Sequence, residues 1–197
     1  MPLASAVTLQ YLSPVFTVLF AGLFFGEQIQ LRHWFSSFLG FIGVYVIQGF
    51  DSRVSLFGAA IGLLGAVAAA LAYNSVRSLR ETDHEWVVIF YFPLVGSLVT
   101  LPFALHSWVW PAGSDWPKLL VVGVMTQLGQ LYLTKGYQAD SVSKVASINY
   151  LAVLYAVLFG ALFFSEGLPA STGLGILLIL ISVALSTLKL KKVKGAR

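Results

Sequence analysis

Seven long apolar stretches, separated by short polar segments, constrain this chain more than any other feature of its sequence. A helix needs about 20 apolar residues to cross a hydrocarbon core about 30 Å thick. No connecting segment is long enough to hold a further domain. The pattern therefore predicts an all-α transmembrane protein with seven helices. The predicted helices cover residues 3–26, 34–50, 56–76, 86–105, 119–135, 142–164 and 170–188.

The composition excludes a soluble globular fold. Hydrophobic residues make up 58% of the chain and charged residues only 10%, whereas soluble domains carry about 25% charged residues. The net charge of +4 does not indicate nucleic-acid binding, because the basic residues lie in short clusters between the apolar stretches. Cysteine is absent, which excludes disulfides and thiol catalysis.

The distribution of basic residues predicts the orientation of the chain in the membrane. Cytoplasmic loops of membrane proteins carry an excess of Lys and Arg. If the basic tail lies in the cytoplasm and every helix crosses the membrane, ten of the twelve basic residues face the cytoplasm, and only Arg53 and Lys118 lie outside. We therefore predict a multi-pass protein of the cell inner (plasma) membrane with a cytoplasmic carboxy terminus.

An internal repeat is visible when the chain is aligned with itself at an offset of 139 residues. Residues 4–27 then align without a gap with residues 143–166, and nine of the 24 positions are identical. The identities include Tyr11 with Tyr150 and Glu27 with Glu166. The first predicted helix and its copy cross the membrane in opposite directions. The repeat therefore predicts that a unit with an odd number of helices was duplicated in inverted topology.

The repeat also predicts how the chain is divided. Residues 1–54 contain two helices, which are the end of a first five-helix repeat. Residues 55–190 contain five helices and form a complete, inverted second repeat, and residues 191–197 form a basic cytoplasmic tail. Three further helices are expected before Met1. Transporters built from inverted repeats place the substrate near the membrane midplane, where the repeats meet.

Particular motifs resemble those of a known family. The segment 11–16, read with Leu23-Phe24-Phe25-Gly26-Glu27, resembles the fourth helix of an EamA-type protein of the drug/metabolite transporter superfamily. The segment 150–166 resembles the ninth helix of that family. Gly173, Gly175 and Ser182-Val183 resemble its glycine-bearing tenth helix.

This resemblance implies ten helices in two inverted five-helix repeats, with both termini in the cytoplasm, and transport of a small molecule. It does not identify the substrate, because members of the superfamily carry amino acids, drugs, cofactors and sugars. The chain departs from the family pattern by lacking the first three helices. It also has Val153 where the first copy has Pro14.

The sequence predicts no catalytic residue, no metal site and no cofactor. His33, His84 and His106 lie at the ends of predicted helices, and none has a metal-ligand partner four residues further on. Glu27 and Glu166 could in principle couple transport to protons. However, both lie next to loops, so we favour a role in bracing the following helix through its exposed N–H groups.

The predicted substrate site consists of polar and aromatic side chains within the apolar helices. An amide that faced lipid would lose its hydrogen bonds, so these side chains are expected to point toward other helices. They could line a cavity or join helices through hydrogen bonds. The candidate substrate-binding residues are Gln10, Tyr11, Pro14, Tyr73, Asn74, Gln127, Gln130, Asn149 and Tyr150.

These observations predict a permease or exporter of a small neutral or zwitterionic organic metabolite, working by alternating access between inverted repeats. A nucleotide-sugar or phosphorylated-metabolite carrier of the same superfamily is one alternative; it would need converging Arg or Lys side chains, and only Lys135 is available. A non-transporting, truncated membrane subunit or scaffold is the other. The expected partners are the small-molecule substrate and the lipid bilayer, a homodimer is left open, and nucleic acid is not expected.

Overall fold

A computed structural model of the chain describes residues 3–48, 55–164 and 170–188, and these residues form helices without any strand. The prediction of an all-α transmembrane fold with seven helices is confirmed, although two of the seven are each divided into two segments. The α-helices are α1 (Leu3–Gln10), α2 (Ser13–Leu23), α3 (Leu31–Gln48), α4 (Leu56–Ser78), α5 (Glu85–His106), α6 (Trp116–Ala139), α7 (Val142–Ile148), α8 (Leu151–Phe164) and α9 (Ala170–Thr187).

Most of these helices are apolar enough to lie in a membrane. Three segments are long and apolar enough to cross it, namely Leu56–Glu81, Glu85–His106 and Val142–Phe163. Three more apolar helices are shorter, and they cover Val7–Leu23, Leu31–Ile47 and Ser171–Thr187. The remaining helix, α6, has 24 residues, which is long enough to span the hydrocarbon core.

The first predicted helix is broken between α1 and α2. Pro14 lies in the first turn of α2, and because proline has no N–H it cannot donate to the carbonyl of Gln10. The N–H of Leu12 donates to the Leu9 carbonyl at 3.0 Å, three residues back instead of four. The helix therefore tightens and breaks at Tyr11 and Leu12, where Pro14 predicted a kink.

The predicted helix at residues 142–164 is also broken, at Asn149 and Tyr150, and here no proline is present. The N–H of Tyr150 donates to the Ser147 carbonyl at 3.3 Å, and the N–H of Val153 donates to the Tyr150 carbonyl at 3.1 Å. Both bonds span three residues, as in the first break. Val153 therefore does not keep this helix continuous, and the sequence did not predict the break.

The other helix boundaries agree with the sequence to within three residues, except for α6, which is longer at both ends than predicted. Pro117 lies in its first turn, where the N–H that proline lacks would have no partner within the helix. Just before α6, the Asp115 carboxylate accepts a bond from the Ala112 N–H at 3.2 Å. Phe50, the predicted end of the second helix, lies outside the described residues.

The chain divides into two compact units. The first unit comprises the described parts of Met1–Asn74 and Ser141–Arg197, and the second is Ser75–Asp140. In the second unit α5 packs against α6, and the Lys135 Nζ lies 3.7 Å from the Glu85 Oε1. The Arg77 guanidinium donates to the Gln138 carbonyl at 2.6 Å, which joins the end of α4 to the end of α6.

The helices α3 and α9 form the most extensive contact of the first unit. Ser36 Oγ donates to the Ser182 carbonyl at 2.8 Å, and Ser182 Oγ donates to the Ser36 carbonyl at 2.7 Å. Further along, a Cβ on Gly43 would lie 2.9 Å from the Gly175 carbonyl oxygen, and a Cβ on Gly175 would lie 2.7 Å from the Gly43 carbonyl oxygen. The pair is antiparallel, and its small residues bring the two backbones into direct contact.

The start of α3 is also tied to the end of α9. The Arg32 guanidinium donates to the Leu188 carbonyl, and the buried His33 Nδ1 lies 3.3 Å from the Ser186 Oγ. A cation is favourable at this position, because the last carbonyls of a helix carry partial negative charge. His33 therefore belongs to the contact between α3 and α9.

Candidate substrate site

The two helix breaks of the first unit meet through a pair of tyrosines. The ring centroids of Tyr11 and Tyr150 lie 6.2 Å apart with the planes inclined by 28°, an offset stack. Tyr11 follows the end of α1, and Tyr150 precedes the start of α8. Tyr11 is half-buried and Tyr150 is fully buried. The structure thus brings together two of the candidate residues, which the repeat aligns with each other.

Tyr150 is fixed by contacts with α3. Its hydroxyl donates to the Ser37 carbonyl at 2.9 Å, and its ring lies against Gly40. Val44, Val153 and Ile179 complete the buried cluster around it. In this conformation Tyr150 is therefore a core residue whose hydroxyl already has a partner, and its role as a substrate ligand stays a prediction.

A cluster of three buried serine hydroxyls lies at the junction of α3, α7 and α9, and one of them, Ser147, precedes this tyrosine by three residues. The Ser36 Oγ lies 3.0 Å from the Ser147 Oγ and 3.3 Å from the Ser182 Oγ. Ser147 also donates to the Ser143 carbonyl at 3.1 Å. Ser36 and Ser147 are not among the residues that the sequence predicted for the site, although hydroxyls within apolar helices are a signal for contacts between helices.

Asn74 joins α4 to α2. Its side-chain Nδ2 donates to the Thr17 carbonyl at 3.1 Å and to the Ala70 carbonyl of its own helix at 2.9 Å. Asn74 is 1% exposed, and its Oδ1 has no hydrogen-bond partner in the part of the chain that the structure describes. The amide nitrogen therefore holds helices together, while the oxygen keeps its full capacity to accept a bond.

Four other candidates lie at or beside the breaks. The Gln10 Oε1 lies over Gly65 of α4, 3.4 Å from where a Cβ would be. Asn149 is half-buried, and its N–H donates to the Val145 carbonyl at 3.3 Å. Tyr73 of α4 is half-buried and lies near Tyr11, and Pro14 is buried at the start of α2.

The candidates Gln127 and Gln130 belong to the second unit, on α6. Gln130 is half-buried, and Gln127 is exposed. Gln127 lines a shallow, mainly apolar groove of about 490 Å³ on one face of α6. The other lining residues are Trp116, Leu119, Leu120, Gly123 and Val124. The structure does not group these two glutamines with the other candidates in one unit.

Ionised side chains are scarce in the described helices of the first unit. Arg32 lies in the first turn of α3 and Lys144 in the first turn of α7, so both lie at helix ends. Within the described ranges there is no group of three His, Cys, Asp or Glu residues that could hold a metal ion. The candidate residues around the tyrosines therefore offer hydroxyl, amide and aromatic groups.

Glu27 lies at the end of α2, as predicted from the sequence. Gly26 has a φ of +65°, the left-handed conformation in which helices commonly end, and the Glu27 N–H donates to the Ala21 carbonyl at 2.9 Å. Glu166, its counterpart in the repeat, lies outside the described residues. Bracing of the following helices by the two carboxylates stays a prediction.

The helices are apolar, and two of them are broken where polar and aromatic side chains meet. This arrangement is typical of multi-pass membrane transporters. The chain belongs to the EamA-like transporter family, whose model matches residues 1–49 and 56–188. The predicted family is thereby confirmed, and so is the prediction that the protein is a transporter and not an enzyme.

Relatives and a solved structure agree with this assignment. The chain is 35% identical over 191 residues to the pseudopaline exporter of Pseudomonas aeruginosa, covering 95% of this chain and 67% of the exporter. It is 30% identical over 189 residues to the riboflavin transporter of Vibrio cholerae, covering 94% and 63%. One crystal structure shares the fold with a TM-score of 0.81 at 22% identity, covering 95% of this chain and 69% of that one. The chain thus spans about two thirds of the length of these proteins.

Proposed function

We propose that this protein moves a small neutral or zwitterionic organic metabolite across the inner membrane by alternating access. The observation that carries the proposal is the meeting of two broken helices at the Tyr11–Tyr150 stack. Transporters commonly bind their substrates at interrupted helices, where backbone groups released from the helical pattern face the substrate.

The breaks supply hydrogen-bonding groups without ionised side chains. Pro14 cannot donate to the Gln10 carbonyl, and the Val15 N–H donates to the Leu12 carbonyl at 3.0 Å instead of the Tyr11 carbonyl four residues back. The ends of α1 and α7 carry partial negative charge, and the starts of α2 and α8 carry partial positive charge. Partial charges of both signs suit a neutral or zwitterionic solute better than an anion.

The nucleotide-sugar alternative is less well supported. Recognition of a phosphate needs converging Arg or Lys side chains, and Lys135 was the one basic residue that could reach inward. In the second unit its Nζ lies 3.7 Å from the Glu85 carboxylate. A lysine that is already close to a carboxylate is a weaker anion site.

The contacts of α3 with α9 support the inverted repeat. The offset of 139 residues relates Ser36 to Gly175 and Gly43 to Ser182. The Ser36–Ser182 contact is therefore the counterpart of the Gly175–Gly43 contact, and both contacts are reciprocal. A two-fold axis between the helices would produce this arrangement, which favours division of the chain at residues 54 and 55.

The relatives support an organic solute of modest size. One is named as an exporter of pseudopaline and another as a transporter of riboflavin. These names differ in substrate, so they support the class of solute and leave the particular metabolite open.

Counterflow into proteoliposomes tests the proposed function. The complete protein would be reconstituted in lipid vesicles and presented with a panel of radiolabelled neutral and zwitterionic amino acids, with a nucleotide sugar as contrast. We expect saturable exchange of at least one amino acid. Exchange of the nucleotide sugar alone would favour the phosphorylated-metabolite carrier, and a protein that is folded yet exchanges nothing would favour the non-transporting subunit.

Asn149→Ala and Gln10→Ala are each expected to reduce counterflow at least tenfold. A hydrogen bond between membrane helices is worth on average about 0.6 kcal/mol, so a residue that only joined helices would leave transport nearly intact. Thermal unfolding in detergent should stay close to the parent. Gln28→Ala, in the exposed loop before α3, is the matched control. Parental transport by both variants would remove these residues from the site.

Cysteine labelling tests the predicted orientation. Ser114 and Thr82 are both exposed, and the chain has no cysteine of its own, so Ser114→Cys and Thr82→Cys each carry a single thiol. The excess of basic residues on one side predicts that Cys at 114 reacts with a membrane-impermeant maleimide added to intact cells and that Cys at 82 does not. The opposite labelling pattern would reverse the topology and place the carboxy terminus outside.

A further inference from the structure

Gly40 lies in the middle of α3, directly beneath the ring of Tyr150. A Cβ at this position would overlap the Cδ2 and Cε2 atoms of that ring and would lie 2.8 Å from the Ser182 Oγ. Gly40 is itself buried. Only glycine therefore fits between α3 and the tyrosine as they are packed here.

Tyr150 contacts α3 over almost one helical turn, from Gly40 back to Ser37. The ring covers Gly40, and the hydroxyl reaches the Ser37 carbonyl, three residues earlier, at 2.9 Å. Tyr150 is 0% exposed. Its position is thus determined at both ends of the side chain, by the space over Gly40 and by the hydrogen bond to Ser37.

The packing of α3 against α9 accounts for Gly40 only in part, through the Ser182 Oγ that would lie 2.8 Å from a Cβ there. Glycine is unfavourable within a helix, so a buried helical glycine calls for a close contact that explains it. Gly43 has such a contact in the Gly175 carbonyl and the side chain of Ile179 on α9. The two nearest atoms to a Cβ on Gly40 instead belong to Tyr150, at the second helix break.

We infer that Gly40 is a positioning residue for substrate transport, which rests on the proposed function. Gly40 receives the ring of Tyr150, and Tyr150 stacks on Tyr11. The absence of a side chain at residue 40 therefore sets the spacing between the two breaks. A methyl group here would push the ring off α3, lengthen the bond to Ser37 and shift the stack with Tyr11.

A stability cycle tests the contact itself. Gly40→Ala and Gly43→Ala should each lower the midpoint of thermal unfolding in detergent, because both introduce a Cβ closer than 3.0 Å to other atoms. In a Tyr150→Leu background, the loss caused by Gly40→Ala should shrink by at least half, because the overlapping ring is gone. The loss caused by Gly43→Ala should change less, because its Cβ would still lie 2.9 Å from the Gly175 carbonyl oxygen, although Ile179 is shared with the cluster around Tyr150. Equal losses in both backgrounds would refute the contact.

Two further readouts test the positioning role. In an Ile148→Cys background, Gly40→Ala should change the rate of alkylation by N-ethylmaleimide at least threefold, whereas Gly43→Ala should leave it within the error of the parent. Ile148 precedes the second break and is 38% exposed, so its reactivity reports on that break without requiring transport.

In counterflow with an amino acid that the parent exchanges, Gly40→Ala should raise KM at least fivefold per folded molecule, and Gly43→Ala should not. Equal KM values for the two variants, with exchange by the parent intact, would overturn the role of Gly40 and leave the proposed function standing. A parent that exchanges no member of the panel would instead refute the proposed function, while the alkylation rates would still show whether Gly40 positions the break.

Discussion

Gly175→Ala is expected to lower the free energy of unfolding by about 1–3 kcal/mol, the usual range for overpacking a close contact. The new Cβ would lie 2.7 Å from the Gly43 carbonyl oxygen and would overlap the side chain of Ile47. Neither neighbour can retreat easily, because the backbones of α3 and α9 are already in contact. Equilibrium unfolding of the purified protein in detergent measures the loss.

Gly173→Ala is the matched control, on the same helix and two residues away. A Cβ on Gly173 meets no heavy atom within 4 Å among the described residues, and alanine is about 1 kcal/mol more favourable than glycine within a helix. This variant should therefore be as stable as the parent or slightly more stable. Equal destabilisation by the two variants would contradict the close contact of α3 with α9.

Tyr150→Ala is expected to lower the free energy of unfolding by about 3–5 kcal/mol, as for other large buried aromatic residues. The substitution would leave a cavity beside Val44 and Ile179 and remove the donor to the Ser37 carbonyl. Tyr150→Phe keeps the ring and should lose only about 0.5–1.5 kcal/mol, because it removes one hydrogen bond while the Ser37 carbonyl stays within the helical pattern of α3.

Tyr155→Ala is the control that shows whether burial, and not position along the helix, explains the loss of stability at Tyr150. Tyr155 lies on α8, five residues after Tyr150, and is 61% exposed. Its substitution should change stability by less than about 0.5 kcal/mol, the usual limit for surface changes. A loss at Tyr155 as large as that at Tyr150 would show that the buried environment of Tyr150 does not explain the effect.

Local features of the sequence predicted the helices and one of the two breaks. Apolar length determines where a chain can cross a bilayer, and Pro14 interrupts the backbone hydrogen bonds of its own helix. The second break has no such local cause. Tyr150 is held there by Ser37, 113 residues away in the sequence, and only the folded structure reveals this partner.

The candidate site could be predicted only in part, because its contacts also join residues that are far apart in the sequence. The repeat aligned Tyr11 with Tyr150, and the structure stacks their rings. Asn74 was expected to point toward other helices, yet no sequence pattern indicated that its nitrogen would bond the Thr17 carbonyl. The role of Gly40 could not be predicted, because glycines are frequent in this chain. Only the side chains and backbone atoms that pack against each glycine in the folded protein show which of them matter.

The contact between α3 and α9 has a consequence for how the protein is made. Ser36 and Ser182 are 146 residues apart, so α3 is synthesised well before α9 and can pack against it only after the residues between them have been translated. Until then, the glycines and serine hydroxyls of α3 face lipid or provisional neighbours. Contacts between distant segments form late and leave incomplete chains vulnerable to misassembly. A nascent chain that stops before Ala170 therefore lacks the partner that would bury this face of α3.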